Sequence, residues 1–444
     1  MRRPVGGVAG AVVALVTVLA LVVLTGCTGT GTGTGTGSGS GSGASGSAHQ
    51  AGASGSAGSS GPSGPSGSAG SGGAPAASAS PGTFGAPPRI PSAPGLPGEA
   101  HSLGLARDGS GFALLAECVG DPAAPETGFC RQHVAVRDTG AKEWVLRKSP
   151  LPRTTGTDGI SAHLLALGPG RALIEDGAVE PQDARNWFTR DGGRTWRAVD
   201  RRTVGTTPEI PAGAVLTTDC ASPAGGHPDV CERERLVVVS PQDGRRRALA
   251  RMPLLGAHPL PAGQPEPDGS WWVSGTDPLS GRAAVAVSRD GGRAWTVGLL
   301  PSPPATGHGW YTSVAVGQDA VYAAEMGELT GGEPVKNPMR ALHRSLDGGR
   351  TWQRMWTTGP TAEPRTLLGL PVPGPGGRVE IGGEEAGYRS LDGGRTFVRL
   401  DEGSHHTRRT PLGLLRESSS CRYELTADGV RWSEFGLACE NRTP

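Results

Sequence analysis

Short runs of alternating apolar and polar residues follow one another along most of this chain, and clusters of glycine and proline separate them. The stretch RTLLGLPVPGPGGRVEIGGEEAGYRSLDGGRTFVRL, residues 365–400, contains four such runs. Alternation with a period of two is typical of β-strands, and Pro/Gly turns between the runs indicate antiparallel connections. The stretch therefore predicts a four-stranded meander. HSLGLARDGSGFALLAEC and SVAVGQDAVYAAEM predict the first two strands of other such units.

One short motif recurs between the predicted third and fourth strands of the units. Four strong copies read TRDGGRTW, SRDGGRAW, SLDGGRTW and SLDGGRTF, and three weaker copies read VRDTGAKEW, SPQDG and TADGVRW. We expect the aspartate to accept hydrogen bonds from backbone N–H groups of the turn, and the glycines to adopt positive φ. The turn aspartates are Asp138, Asp191, Asp243, Asp290, Asp347, Asp392 and Asp428.

The spacing of these aspartates predicts the fold. Successive aspartates are 36 to 57 residues apart, and a period near 50 residues is typical of propeller blades. The sequence therefore predicts an all-β, seven-bladed propeller over residues 101–444, with four-stranded antiparallel blades. Six blades is the alternative, because the last unit is short and the motif of the third unit is incomplete.

These motifs resemble the Asp box, or bacterial neuraminidase repeat, of the sialidase-like β-propellers. The resemblance implies that the Asp turns are structural and lie on the face away from an active site. The superfamily contains sialidases, other glycosidases, sortilin-type receptors and photosystem assembly factors, so the fold does not define the function.

The N-terminal part of the chain predicts export. Two arginines precede an apolar run at residues 8–24, which ends in Leu-Thr-Gly-Cys27. This resembles the lipobox of bacterial lipoproteins and predicts a signal peptide over residues 1–27, with Cys27 lipidated. An uncleaved membrane anchor is the alternative. Residues 28–100 are rich in Gly, Ser, Thr and Pro and predict a disordered tether. We therefore expect a domain outside the cytoplasm that is anchored to the membrane.

The cysteines and the charge agree with an exported binding protein. Without Cys27, six of the seven cysteines remain, and they predict three local disulfides in an oxidising compartment. The predicted pairs are Cys118–Cys130, Cys220–Cys231 and Cys421–Cys439. A formal net charge of +1 gives no case for nucleic acid. We expect a monomer without a cofactor.

Several histidines fall near the predicted start of a first strand, on the side of the ring opposite the Asp turns. They are His101, His163, His258, His308 and His406, and the other two units offer Glu209 and Glu363. A wide channel mouth rarely brings donors within about 2 Å of one ion, so we expect ordinary polar residues rather than a metal site. A glycan or protein ligand is predicted to bind on this side.

A sialidase-type active site is the alternative function. Arg89-Ile90-Pro91 resembles the Arg-Ile-Pro motif of sialidases, in which the arginine binds the sugar carboxylate. Tyr311 and Tyr423 are the candidates for a nucleophilic tyrosine, but no motif identifies either, and the remaining set is incomplete. The sequence therefore favours a binding or scaffold module at the cell surface over an exo-glycosidase.

Overall fold

The computed structural model is a seven-bladed β-propeller. It describes residues 84–439, apart from 88, 122–123, 156–159, 178–184, 226, 306–309, 329–337, 360, 402, 404 and 420. Seven sheets follow one another along the chain, which confirms the predicted fold and excludes the six-bladed alternative. The predicted signal peptide, Cys27 and most of the predicted tether lie outside the described residues. No helix within the described part of the chain is long and apolar enough to cross a membrane.

The first three sheets cover residues 99–249. Blade 1 also carries a short fifth strand, β5, that pairs with β3. The strands are β1 Glu99–Leu105, β2 Gly111–Asp121, β3 Ala124–Arg137, β4 Val145–Arg147 and β5 Thr154–Thr155 in blade 1; β6 His163–Ala166, β7 Ala172–Glu175, β8 Asn186–Thr189 and β9 Arg197–Val199 in blade 2; and β10 Thr203–Thr207, β11 Val215–Ala224, β12 His227–Val239 and β13 Arg246–Leu249 in blade 3.

The remaining four sheets are four-stranded meanders. Their strands are β14 Leu260–Pro261, β15 Trp271–Thr276, β16 Arg282–Ser288 and β17 Thr296–Pro304 in blade 4; β18 Tyr311–Val316, β19 Val321–Met326, β20 Met339–Ser345 and β21 Gln353–Thr357 in blade 5; β22 Leu368–Pro373, β23 Val379–Gly382, β24 Gly387–Ser390 and β25 Val398–Arg399 in blade 6; and β26 Thr407–Thr410, β27 Gly413–Ser419, β28 Arg422–Thr426 and β29 Ser433–Gly436 in blade 7.

The meander order determines which turns share a face. First strands of neighbouring blades contact each other, as β1 and β6, β18 and β22, and β22 and β26 do, so first strands surround the central channel. Since the chain reverses at each strand, the first-to-second turn and the Asp turn of a blade lie on one side. Gly192 N–H of the blade 2 Asp turn accordingly donates to Gly170 O of the first-to-second turn at 2.9 Å. We call this the Asp-turn side.

The third blade departs from the predicted antiparallel pattern. Its sheet runs β10-β13-β12-β11, and β10 pairs with β13 in parallel. Residues 208–214 then lead to β11, and Ile210 N–H donates to Gly291 O of the blade 4 Asp turn at 2.7 Å. Among the described strands β11 pairs only with β12. The edge that a first strand covers in the other blades therefore pairs with no described strand here, and Leu216 N–H of β11 instead donates to Gly263 O, after β14, at 2.8 Å.

The hydrophobic core lies between neighbouring blades. Phe112 and Leu114 of blade 1, for example, form one buried cluster with Leu164 and Ile174 of blade 2. Trp196, which follows the Asp turn of blade 2, packs against the same cluster. A large ring at this position contributes apolar burial that joins two blades, and this explains why the motif ends in an aromatic residue.

The N-terminal segment closes the ring, and residues ahead of the predicted domain start at residue 101 pack on the propeller. Ile90 is 2% exposed and belongs to the cluster between blades 1 and 7. Ala93 forms a parallel bridge with Leu437, directly after β29, and the Trp144 indole donates to Pro91 O at 2.9 Å. The boundary was based on composition, and the prolines and glycines of this segment resemble the predicted tether although part of the segment packs on the core.

All three predicted disulfides are confirmed. Cys118 pairs with Cys130 across β2 and β3, Cys220 with Cys231 across β11 and β12, and Cys421 with Cys439 after β29. Three disulfides indicate an oxidising environment outside the cytoplasm.

Candidate functional site

The Asp turns are structural in their geometry. In blade 5, Asp347 accepts hydrogen bonds from the Thr351 N–H at 2.9 Å and from the Thr351 hydroxyl at 2.6 Å. The Ser345 hydroxyl donates to Asp347 at 2.8 Å and accepts from Gly349 N–H at 2.8 Å. Gly349 has a φ of +90°, and a Cβ there would lie 2.7 Å from the ring of Trp272 in blade 4. The motif closes its own turn and docks it on the preceding blade.

The other blades form the same turn, but the hydrogen bonds of the aspartate differ from blade to blade. Asp191, Asp290 and Asp392 each accept the N–H of the residue four positions later, at 3.0, 2.9 and 3.0 Å. Asp428 accepts the Arg431 N–H at 2.8 Å, whereas Asp243 pairs with Arg247 at 2.6 Å. The side chain of Asp138 accepts no hydrogen bond from a described residue, and only its backbone carbonyl closes the turn, with Ala141 N–H at 3.0 Å.

Acid is expected to weaken the Asp turns. The hydrogen bond from the Thr351 hydroxyl, assisted by the backbone N–H groups, lowers the pKa of Asp347. At Asp191, desolvation opposes the shift, but hydrogen bonds from Thr195 and Thr189 outweigh it and lower the pKa to about 2. A carboxyl with a lowered folded pKa stabilises the fold above its unfolded pKa of about 4 and loses that contribution as pH falls through the folded value.

Asp347→Asn should therefore melt at a lower temperature than the wild type at pH 7, and the difference should shrink between about pH 4 and pH 2. Thermal unfolding followed by circular dichroism at several pH values measures this. Asp138→Asn is the matched control and should change the melting temperature little at pH 7, because the Asp138 side chain accepts no hydrogen bond from a described residue. If the difference in melting temperature between Asp347→Asn and the wild type stays constant down to about pH 2, the ionised Asp347 carboxylate does not stabilise the turn.

The histidines on the opposite side form a pair rather than a ring. His101 lies in β1 and His163 begins β6, and the Ser102 hydroxyl lies 3.5 Å from His163 Nδ1. Desolvation and the neighbouring His163 lower the pKa of His101 to about 4. Desolvation also lowers the pKa of His163. Both rings are therefore neutral at neutral pH and give this mouth no positive charge.

The other predicted members do not join this pair. His258 begins blade 4 and lies 3.6 Å from Glu234, His406 is exposed before β26, and His308 lies outside the described residues. Glu209, expected at the same mouth, instead pairs with Arg293 in the Asp turn of blade 4. Within the described part of the chain, no group of three or more His, Cys, Asp or Glu side chains could hold a metal ion.

The three sialidase candidates do not come together. Arg89 is exposed and precedes the segment that packs beside the outer strand of blade 7. Tyr423 lies in β28, stacks on Phe435 with ring centroids 5.5 Å apart, and donates its hydroxyl to Ala100 O at 3.2 Å. Desolvation raises the pKa of Tyr423 to about 12, whereas a nucleophilic phenolate requires a lowered pKa. Tyr311 is half-buried at the start of β18, in another blade.

An ion pair that sequence analysis missed crosses the channel. Arg409 of β26 pairs with Glu266, in the first-to-second turn of blade 4. Arg409 also donates to Val314 O in blade 5 and to Ala262 O at 3.4 Å. Glu266 is 2% exposed, and desolvation raises its pKa although Arg409 opposes the shift. The side chains of Glu266 in blade 4 and Arg409 in blade 7 thus meet across the axis, and Arg409 also binds the backbone of blade 5.

A cavity of about 720 Å³ lies beside this ion pair on the Asp-turn side. Its wall consists of the first-to-second turns of blades 1, 2, 4 and 7, residues 210–214 before β11, and Gly291. Gln264 and Pro265 of the wall directly precede Glu266. The cavity therefore lies where the chain enters the irregular third blade, on the side where the sequence did not predict a ligand.

The lining of the cavity combines apolar surface with a few charged groups. Its accessible apolar surface comes mainly from prolines and Ala212, namely Pro169, Pro211, Ala212, Pro265 and Pro411. Leu167, Ile210 and Trp271 lie behind this surface and are 0%, 6% and 5% exposed. The charged residues of the lining are Arg107, Asp108 and Arg171. Ligand sites are typically concave, of 300–1,000 Å³ by order of magnitude, and mostly apolar with a few polar groups. This cavity has that composition and size.

Comparisons with known proteins show similarity of fold alone. No family model matches the chain, and no curated protein matches it. The GH74 xyloglucanase from Xanthomonas campestris is 15% identical with a TM-score of 0.32, and 80% of this chain and 68% of that chain are covered. The intramolecular trans-sialidase from Ruminococcus gnavus is 13% identical with a TM-score of 0.32, and 78% of this chain and 96% of that chain are covered. Sqt1 from Saccharomyces cerevisiae is 9% identical with a TM-score of 0.37, and 78% of this chain and 87% of that chain are covered.

Proposed function

We propose that this chain is a ligand-binding β-propeller that works outside the cytoplasm, with its ligand in the 720 Å³ cavity on the Asp-turn side. The cavity is the observation that carries the proposal. The disulfides support an exported location, and the sequence before residue 84 supports a tether that ends in a lipid at Cys27. Binding at the histidine-bearing mouth stays a prediction, as does the sialidase-type alternative.

Two properties make the cavity suitable for a ligand. Its backbone is fixed by hydrogen bonds, since Ile210 N–H donates to Gly291 O at 2.7 Å and Ala214 N–H donates to Pro211 O at 3.1 Å. Its apolar surface comes from prolines and Ala212, and buried core residues such as Trp271, 5% exposed, pack behind that surface. A preformed apolar cavity binds without the cost of ordering its wall.

Filling the cavity should abolish binding. Nile red, a neutral apolar fluorophore, is expected to bind the wild-type protein with one site per chain and increased fluorescence. Ala212→Trp places an indole at an exposed position of the cavity wall and should weaken binding by at least about tenfold. Ala294→Trp, exposed in the Asp turn of blade 4 outside the wall, is the matched control.

Equal binding by Ala212→Trp and the wild type, or no binding by the wild type, would remove the support for a cavity ligand. In parallel, the exported protein should be assayed on a fluorogenic sialoside. Turnover that Arg89→Ala abolishes would establish the glycosidase alternative instead.

A further inference from the structure

The charged residues of the cavity wall, Arg107, Asp108 and Arg171, sum to a formal charge of +1. Arg107 donates to the backbone oxygens of Glu266 at 3.0 Å and of Pro267 at 3.4 Å. These carbonyl acceptors hold the guanidinium at the cavity wall and leave its formal charge intact. Arg171 is exposed and forms no ion pair with a described residue. Two arginines thus line the same cavity without a carboxylate partner.

The one acidic residue of the wall is already engaged. Asp108 accepts hydrogen bonds from the Ser110 N–H at 3.2 Å, from the Ser110 hydroxyl at 2.7 Å, and from the Thr139 hydroxyl. Desolvation opposes ionisation of Asp108, but these hydrogen bonds outweigh it and lower its pKa. The carboxylate therefore accepts hydrogen bonds from Ser110 and Thr139, and it does not pair with Arg107 or Arg171.

The surroundings of the cavity carry charges of both signs. Gly170, next to Arg171, accepts the Gly192 N–H of the blade 2 Asp turn, so Arg171 lies near the arginines of that turn. Arg194 donates to the backbone oxygen of Asp191 at 2.6 Å, a neutral acceptor, because the Asp191 carboxylate binds Thr189 and Thr195. Every Asp turn carries an exposed cation after its glycine, namely Lys142, Arg194, Arg245, Arg293, Arg350, Arg395 and Arg431. Each turn also carries its aspartate, and Arg293 and Arg431 pair with Glu209 and Asp428, so the positive charge that a cavity ligand meets comes from Arg107 and Arg171.

We propose that the cavity binds an amphipathic anion, with an apolar body against the proline-rich wall and a carboxylate or phosphate between Arg107 and Arg171. This rests on the proposed function and specifies the chemistry of its ligand. A guanidinium matches the geometry of both acids through paired N–H donors. The backbone contacts of Arg107 keep that group in place, so little side-chain entropy is lost when the anion binds.

Four ligands with the same chain and different head groups test this proposal. Decanoate, decyl phosphate, decanol and decylammonium are titrated against Nile red bound to the wild-type protein, below their micelle concentrations and at low salt. Either acid should displace the dye at a concentration about tenfold lower than decanol does, and decylammonium should be weakest. The acid that binds more tightly identifies the preferred head group.

Arginine variants separate charge from shape. Arg171→Gln should bring the acids to the level of decanol and leave displacement by decanol unchanged. Arg190→Gln, exposed on the same side but outside the wall, should retain the preference. Thermal unfolding of each variant verifies that the fold is intact.

Two failures are distinguishable. If decanol or decylammonium displaces the dye as well as the acids do, or if Arg171→Gln keeps the acid preference, the proposed anion is overturned while the cavity ligand stands. If Nile red does not bind in a manner sensitive to Ala212→Trp, the proposed function itself fails.

Discussion

Glu266→Gln is expected to lower the free energy of unfolding by about 3–5 kcal/mol, the range for breaking a buried ion pair by removal of one partner. The glutamine keeps the volume of the side chain but leaves the Arg409 guanidinium buried without a countercharge. The carbonyl oxygens of Val314 and Ala262 remain as acceptors, and they place the loss toward the lower end of that range. Urea unfolding monitored by tryptophan fluorescence measures it.

The complementary change should have a different pH dependence. In Arg409→Met, Glu266 keeps its desolvation without its cation, so its folded pKa rises further above the unfolded value. A carboxyl with a raised folded pKa loses stability as pH rises from the unfolded pKa toward the folded one. Arg409→Met should therefore be closest to the wild type near pH 4 and fall behind it by pH 8.

The double variant and a surface pair serve as controls. Glu266→Gln with Arg409→Met removes both charges and should recover part of the loss, which gives the coupling energy. Arg422 and Glu434 form an exposed pair at 3.1 Å, so Glu434→Gln should cost less than about 1 kcal/mol. If Glu266→Gln costs no more than Glu434→Gln, the channel pair does not hold blades 4 and 7 together.

The fold could be predicted because each blade carries its own local signature. The Asp turn contacts residues within four positions of itself, as Asp347 and Thr351 do, and an aromatic residue follows it. Such interactions depend on neighbouring residues, and the sequence displays them directly. Where the signature fails, so does the prediction: SPQDG lacks the paired glycines and the aromatic, and the blade it marks contains the parallel β10–β13 pair.

The cavity and its ion pair could not be predicted in the same way. Arg409 and Glu266 are 143 positions apart, and the residues around the cavity come from turns of four blades plus the segment before β11. Most of those residues are Ala, Gly or Pro, which carry no chemical motif. One signal was available: Arg408 and Arg409 are adjacent on a first strand, and adjacent strand residues point to opposite faces. We therefore expect one of these two arginine side chains to point into the interior.

Removing residues before Glu99 is expected to destabilise the propeller by several kcal/mol, about 1.5–3 for each large apolar side chain that leaves the core. Ile90 and Leu96 are 2% and 8% exposed in the cluster between blades 1 and 7. Their loss also breaks the hydrogen bonds of Ala93 N–H to Gly436 O at 2.7 Å and of Cys439 N–H to Pro94 O at 2.8 Å. Differential scanning calorimetry of fragments that begin at Phe84 and at Glu99 measures the difference.

Two point variants in the longer fragment separate packing from any role of the Arg-Ile-Pro motif. Ile90→Ala should cost about 2–4 kcal/mol, because the surrounding core cannot close over the lost side chain. Arg89→Ala should leave the melting temperature within about 1–2 °C, because this side chain is exposed. If the fragment that begins at Glu99 melts at the same temperature as the fragment that begins at Phe84, the contact between blades 1 and 7 is stable without the segment. If Arg89→Ala is as costly as Ile90→Ala, the arginine has a structural contact, and its resemblance to a sugar-binding arginine loses its remaining basis.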